Sequence, residues 1–230
     1  MGHDYEHDLR SYGRRRGRAP SPRQASLWQN VLPRFALDQS QPLPTRIGEL
    51  FAPPVADVWL EIGFGGGEHL LWQARHSPGV GLIGCEPFQD GVIKVLSAIE
   101  EEQLANIRLH ADDARPLLRR LPDGSIGRTF ILFPDPWPKA RHHKRRLVSA
   151  ATLGELARVM RVGAELRIAT DDGEYARWML LAVVGQRNFV WTATGPADWR
   201  QRPPDWPPTR YEQKAQKAAR RCYYFRFHRV

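Results

Sequence analysis

The chain is poor in sulfur, with two cysteines and three methionines in 230 residues. Cys85 and Cys222 have neither metal-ligand spacing nor the spacing of a disulfide framework. No metal is expected, and a reducing cytoplasm suits such a chain best. No apolar run is long enough to span a bilayer, so no membrane association is expected. The start, MGHDYEHDLRSYGRRRGRAPSPR, lacks the apolar stretch of a secretory signal. The Walker pattern G-x-x-x-x-G-K-[ST] is missing, so ATP or GTP is not implied. No repeat with a period of roughly 20–50 residues is present, which excludes a solenoid or propeller.

Negative charge is in deficit. Thirty-four Lys and Arg against 25 Asp and Glu leave a formal net charge of +9. Such an excess suits a polyanionic partner, because Lys and Arg release counterions condensed on nucleic acid. Residues 1–26 are polar, carry Arg14, Arg15, Arg16 and Arg18, and show no helical or strand periodicity. They are expected to form a basic flexible arm ahead of a single domain over 27–230.

From residue 57 onward, short apolar runs alternate with helical patterns. VWLEIG, GLIGCEP, NIRLHAD, RTFILFP and AELRIAT read as buried strands. EHLLWQARH, DGVIKVLSAIEEEQL, ARPLLRRL and KRRLVSAATLGELARVM read as helices, as do residues 173–187. FVWTA and CYYFRFH add two more strands. The pattern predicts an α/β domain whose seven-stranded, mostly parallel sheet is covered by helices on both faces. PADWRQRPPDWPPTRYE reads as a long loop, and loops of that length are more often functional than decorative.

LEIGFGGGEHL stands where a strand hands over to a helix. Its glycines, Gly63 and Gly65 first, let the backbone turn tightly and approach a ligand. A dinucleotide fingerprint would need a third glycine where Glu68 stands. Glu61, just ahead of the turn, would repel a pyrophosphate but suits the sulfonium and ammonium of S-adenosylmethionine. Glu86 ends the second strand at the distance where an acid accepts from ribose hydroxyls. Asp113 follows the third strand, within reach of an adenine amino group. Each acid alone is equally well explained as a helix cap or turn residue. Together with the glycine turn they favour a nucleoside site.

FILFPDPWPKARHHKRR carries the densest chemistry. Asp135 is bracketed by Pro134 and Pro136, which restrict its backbone. Trp137 offers a stacking surface for a base. Lys139, Arg141, Lys144, Arg145 and Arg146 follow, either as a solvated helix start or as a phosphate clamp.

At this point the sequence resembles the bacterial single-subunit tRNA (guanine-N7-)-methyltransferases. The segments that match are LEIGFGGGEHL, GCEPFQDGV, ADDA, FPDPWPKARHHKRR, ATDDGEYARWM and TRYEQKA, in the family's order. The resemblance implies a class I, Rossmann-like methyltransferase fold and methylation of the guanosine at position 46 in the tRNA variable loop. It implies that Glu61, Gly63, Gly65, Glu86, Asp113 and Asp135 line the S-adenosylmethionine site, with Asp135 also catalytic. Lys139, Asp171, Thr209, Arg210, Tyr211 and Glu212 would contact the substrate, and Arg141, His142, His143, Lys144, Arg145 and Arg146 the RNA. No obligatory protein partner is implied. Many members of the family carry glycines after the position of Glu212, where this chain has QKAQKAARR.

Guanine N7 is unprotonated at neutral pH, so methyl transfer to it needs orientation and electrostatics but no general base. Asp135 is the candidate for gripping the guanine edge or for stabilising the cationic product ring. Two rival readings remain. An amino-methyltransferase would present an Asn- or Asp-Pro-Pro-aromatic loop at the same strand end, and Asp-Pro-Trp-Pro departs from it. A non-catalytic RNA-binding protein would not need intact acids at every strand end.

Overall fold

Apolar runs bounded by glycine and proline form one sheet in the computed structural model, which describes Arg15, Gly17 and residues 19–230. The strands are β1 (Asp57–Ile62), β2 (Val80–Cys85), β3 (Ile107–His110), β4 (Ile126–Leu132), β5 (Met160–Thr170), β6 (Phe189–Trp191) and β7 (Tyr223–Arg229). Their order is β3-β2-β1-β4-β5-β7-β6. β1 to β5 are mutually parallel, and β7 runs antiparallel between β5 and β6. All seven expected strands are present.

Nine α-helices lie among the described residues: α1 (Pro22–Ser26), α2 (Leu32–Phe35), α3 (Glu68–His76), α4 (Gln89–Glu102), α5 (Ala114–Arg120), α6 (Ala150–Val159), α7 (Gly173–Val184), α8 (Ala197–Arg200) and α9 (Arg210–Lys217). Side chains alternate across the sheet, so Val58, Leu60 and Ile62 of β1 enter the core under α5, α6 and α7. The opposite face packs under α2, α3 and α4, with Leu70, Val92, Leu96 and Ile107 at its centre. A third cluster, around Phe130, Trp206, Ala215 and Tyr224, seats α9. No helix among the described residues is long and apolar enough to cross a membrane.

The helix boundaries depart from expectation in three places. α1 begins inside the stretch read as an arm, because Ser21 and Gln24 form a reciprocal capping box and Pro22 takes the first turn. Of that arm, Arg14, Arg16 and Arg18 lie outside the described residues. The helix expected from Lys144 starts only at Ala150, where the Ser149 hydroxyl accepts from the Thr152 amide at 3.3 Å. Residues Ala140–Arg145 form a 3-10 turn instead. The Pro- and Trp-rich stretch is not wholly loop: it holds α8, and Thr209 caps α9 by accepting from the Glu212 amide at 3.2 Å.

Candidate active site

The parallel strands deliver their carboxyl ends to one rim, and a cleft of about 460 Å³ opens there. Ligand sites of open α/β sheets lie at this rim. After β1 the chain turns through Gly63, Gly65 and Gly67, all at positive φ. Gly91 of α4 is required for this turn to settle, since a Cβ there would stand 2.0 Å from the Gly65 carbonyl oxygen. Gly63 and Gly65 both line the cleft.

Glu86 closes β2 and fixes the turn. Its Oε2 accepts from the Gly65 amide at 2.7 Å and its Oε1 from the Phe88 amide at 2.9 Å. Burial raises the Glu86 carboxyl above its usual range, opposed by these two backbone donors. Asp113 lines the cleft and also caps α5, accepting from the Arg115 amide and from its guanidinium. The cap reading and the site reading therefore both hold for its position. Burial works to raise this carboxyl, but the Arg115 bonds outweigh it and hold it below the usual value. The Cys85 thiol is another wall of the cleft, pushed far up by burial and by the Asp113 and Glu86 carboxylates, so it stays neutral.

Asp135 follows β4, on the far side of the cleft from Asp113. Two non-glycine residues in the left-handed region flank it, Phe133 at φ 52° and Trp137 at φ 46°. Such conformations persist only where the surroundings enforce them, and they gather at functional sites. Asp135 is exposed at the cleft with no side-chain hydrogen-bond partner among the described residues, and partial desolvation by its neighbours raises its pKa. The Arg145 guanidinium lies 5.0 Å from the centre of the Trp137 ring, and both residues line the cleft. Tyr211, partly exposed at the start of α9, forms the remaining wall; a Cβ on Gly65 would stand 3.0 Å from its ring. Arg210 lies beside it, with its hydroxyl partner Tyr211 at 3.3 Å.

The other expected site residues are placed elsewhere. Glu61 is buried behind the turn, with Oε2 held by His69 Nδ1 at 2.7 Å, and does not line the cleft. Lys139, Arg141 and Lys144 are exposed beside it. His142 packs edge-on to Trp137, and His143 edge-on to Trp178. Partial desolvation, then Arg145, Arg141 and Lys139, lower the His142 pKa. Arg146, read as an RNA contact, is only 3% exposed: it pairs with Glu174, donates to the Pro136 carbonyl at 2.9 Å and packs on Tyr175 and Trp178. Its work is to staple the Asp135 loop to α7. Asp171 pairs with Arg220 at 2.8 Å. Thr209 is a buried cap, and Glu212 is 3% exposed, accepting from Arg202 and from the Tyr224 hydroxyl at 2.8 Å. Both hold α9 in place and do not face the cleft. After α9, Ala219 adopts φ 53°, a conformation in which glycine is less strained, at the stretch where this chain has alanines.

Asp112 is the residue that motif reading passed over. It lines the cleft, accepts from the Asp113 amide at 2.8 Å and pairs with the Arg15 guanidinium. The Arg15 carbonyl accepts from the Gln89 amide at 3.0 Å, so Arg15 lies at the edge of the cleft. The doubled acid in HADDA was the available signal. No cluster suited to a metal ion occurs among the described residues.

A family described as "Putative methyltransferase" matches residues 56–225. A tRNA (guanine-N(7)-)-methyltransferase of Rhodospirillum rubrum is 49% identical over 96% of this chain and 88% of that protein. One from Zymomonas mobilis is 46% identical over 96% of this chain and 94% of that protein. Among solved structures, a 16S rRNA methyltransferase, KamB, superposes with a TM-score of 0.58 at 16% identity, covering 83% of this chain and 96% of the other. That likeness concerns the fold.

Proposed function

Since the chain belongs to the tRNA (guanine-N(7)-)-methyltransferase family, we propose that it moves a methyl group from S-adenosylmethionine to N7 of guanosine 46 in cytoplasmic tRNA. The observation that carries the donor assignment is the ring of carboxylates Glu86, Asp112, Asp113 and Asp135 around the cleft. A pyrophosphate would be repelled there, whereas a nucleoside bearing a sulfonium and an ammonium is matched in charge. The cleft volume also lies within the range of small-molecule sites, roughly 300–1,000 Å³.

Glu86 and Asp113 would hold the nucleoside, and the glycine turn would admit it closely. S-adenosylmethionine supplies an electrophilic methyl group. The protein's own groups do the remaining work. Trp137 and Tyr211 supply aromatic walls for the guanine and keep water out. Asp135 orients the base or faces the positive charge that its ring acquires. Because N7 has an available lone pair, no side chain has to remove a proton. Lys139, Arg141 and Lys144 are exposed and supply the electrostatic contact with RNA, while Arg210 lies over the glycine turn beside Glu68. The test is to incubate the protein with labelled donor and bulk unmodified tRNA and identify the labelled nucleoside by mass. 7-Methylguanosine is expected; a methylated amino group would transfer the reading to the rival class.

Glu86→Ala removes the acceptor for the ribose hydroxyls and for two turn amides together. Donor affinity should fall by about 1.5–3 kcal/mol, the range for hydrogen bonds to a charged group. Calorimetry with the donor measures this, and an unchanged affinity would reject the ribose assignment.

The basic residues should separate by burial. Replacing Arg141 or Lys144 by alanine should weaken tRNA binding and lower the salt slope by about one contact. Arg146→Ala should instead cost about 2 kcal/mol of stability, since a buried charged hydrogen-bonding group is lost. Filter binding across a salt series and thermal melts distinguish the two behaviours.

A further inference from the structure

Behind the glycine turn runs a buried polar chain that the methyl-transfer chemistry does not use. Glu61, at the end of β1, meets His69 Nδ1 at 2.7 Å. Gln73, one turn further along α3, places Nε2 3.1 Å from His69 Nε2 and 3.2 Å from the carbonyl oxygen of Asp205. The Glu61, His69 and Gln73 side chains are all buried, with residue exposures of 4%, 2% and 3%. The directions of the bonds follow from chemistry. A carboxylate only accepts, so His69 carries its proton on Nδ1. An amide nitrogen only donates, so it serves the bare His69 Nε2 with one hydrogen and the Asp205 carbonyl with the other. Both ring nitrogens of His69 and the amide nitrogen of Gln73 thereby find partners, whereas Trp206 Nε1 and Arg167 Nη1 nearby are buried without one.

The far end of the chain is the loop that leads to the outer wall of the cleft. Asp205 is fixed a second time, its carboxylate paired with the buried Arg167 at 2.7 Å. Trp206, 2% exposed, packs edge-on to His69 and to Tyr224. Arg202 donates to the Trp206 carbonyl and pairs with Glu212. Three residues after Trp206, Thr209 caps α9, which brings Arg210 and Tyr211 over Gly65 and Gly66.

We propose that His69 is a positioning residue. With Gln73 it ties the glycine turn of the donor site to the loop at 201–209 and so sets the height of α9 and Tyr211 over the cleft. The inference rests on the methyltransferase reading above. It assigns Glu61 an internal partner, and it makes the donor and acceptor halves of the site one rigid assembly.

Gln73→Met tests this with a side chain of similar length that cannot serve His69 or Asp205. The loop should loosen while the Glu61–His69 pair stays. Amide exchange should accelerate within residues 201–212 and stay unchanged in β1, β2 and α4. The kcat/KM for tRNA should fall about tenfold, the size of one internal hydrogen bond, since of the two bonds lost only that to the Asp205 carbonyl holds the loop, with affinity for S-adenosylhomocysteine kept within about twofold. His69→Asn retains a donor near Nδ1 for Glu61 and loses the link to Gln73, so it should give the same split. Unchanged loop exchange in Gln73→Met would overturn the proposal. So would an equal loss of both ligands, which is the mark of general disturbance. Failure of the wild-type protein to methylate N7 would overturn the function instead, since the exchange and product-binding results are read without methyl transfer.

Discussion

A tRNA whose target guanosine is replaced by 7-deazaguanosine should accept no methyl group and still bind. The replacement removes the attacking nitrogen while leaving the Watson–Crick edge, the ribose and every phosphate in place. Most of the binding energy comes from phosphates, so affinity and its salt dependence should stay close to those of the natural substrate. The expected effect is loss of all measurable transfer, the largest effect predicted for this protein. Transfer that survives would identify an exocyclic amino group or another ring position as the acceptor. It would leave the donor site and the fold untouched and move the chain to the amino-methylating class.

Asp135→Asn should cut the single-turnover rate by about 10²–10³, the cost typical of losing one preorganised electrostatic group. The variant keeps the shape of the side chain, and Asp135 has no hydrogen-bond partner among the described residues to lose. Donor binding should therefore change by no more than a few-fold. The sign of the stability effect follows from the raised pKa. A carboxyl whose folded-state pKa lies above its unfolded value favours the fold when protonated, and that contribution is lost as pH rises through the folded value. Above that value the Asp135 anion carries a desolvation cost in the folded state that the neutral Asn amide avoids, so Asn should leave the melting temperature equal or slightly higher. Rate and stability thus move in opposite directions, as expected for a site residue held against its own solvation. The wild-type rate should be nearly flat from about pH 6.5 to 8.5 and fall on the acid side, beginning above the ordinary Asp range. An Asn variant with wild-type turnover would remove Asp135 from the chemistry.

What the sequence made legible was whatever the backbone itself encodes. Continuous apolar runs marked all seven strands, and the acids just beyond β2, β3 and β4 had to reach one rim because parallel strands share their direction. Gly63 and Gly65 needed left-handed turns, and they have them. Charge was harder to read. Arg146 is one of five cations in FPDPWPKARHHKRR, and nothing in its spacing separates it from Lys144. Only the aromatic faces of Tyr175 and Trp178, supplied from about thirty residues away, turn it inward. Glu212 is similar: its motif placed it with Tyr211, but the helix between them turns one residue outward to the cleft and the next inward to Tyr224. α9 itself was hidden because its prolines precede it and its apolar face is only Ala215 and the stem of Glu212. The chain Glu61–His69–Gln73 carried a visible half-signal, His69 and Gln73 being one helical turn apart, but its other end is a backbone carbonyl at Asp205, which no side-chain pattern announces.

The position of β7 also governs the order in which the molecule can be completed during synthesis. β7 follows β6 in the chain, yet it sits between β5 and β6, and among the described residues β6 pairs with no other strand. The parallel half of the sheet can assemble as its strands emerge, but β6 has nothing to pair with until residues 223–229 are free. Until then the long edge of β5 is open, with apolar residues Leu166, Ile168 and Ala169 beside unpaired backbone groups. A chain that has made β6 but has not yet docked β7 therefore presents an adhesive strand edge, the kind of edge through which partly folded chains associate.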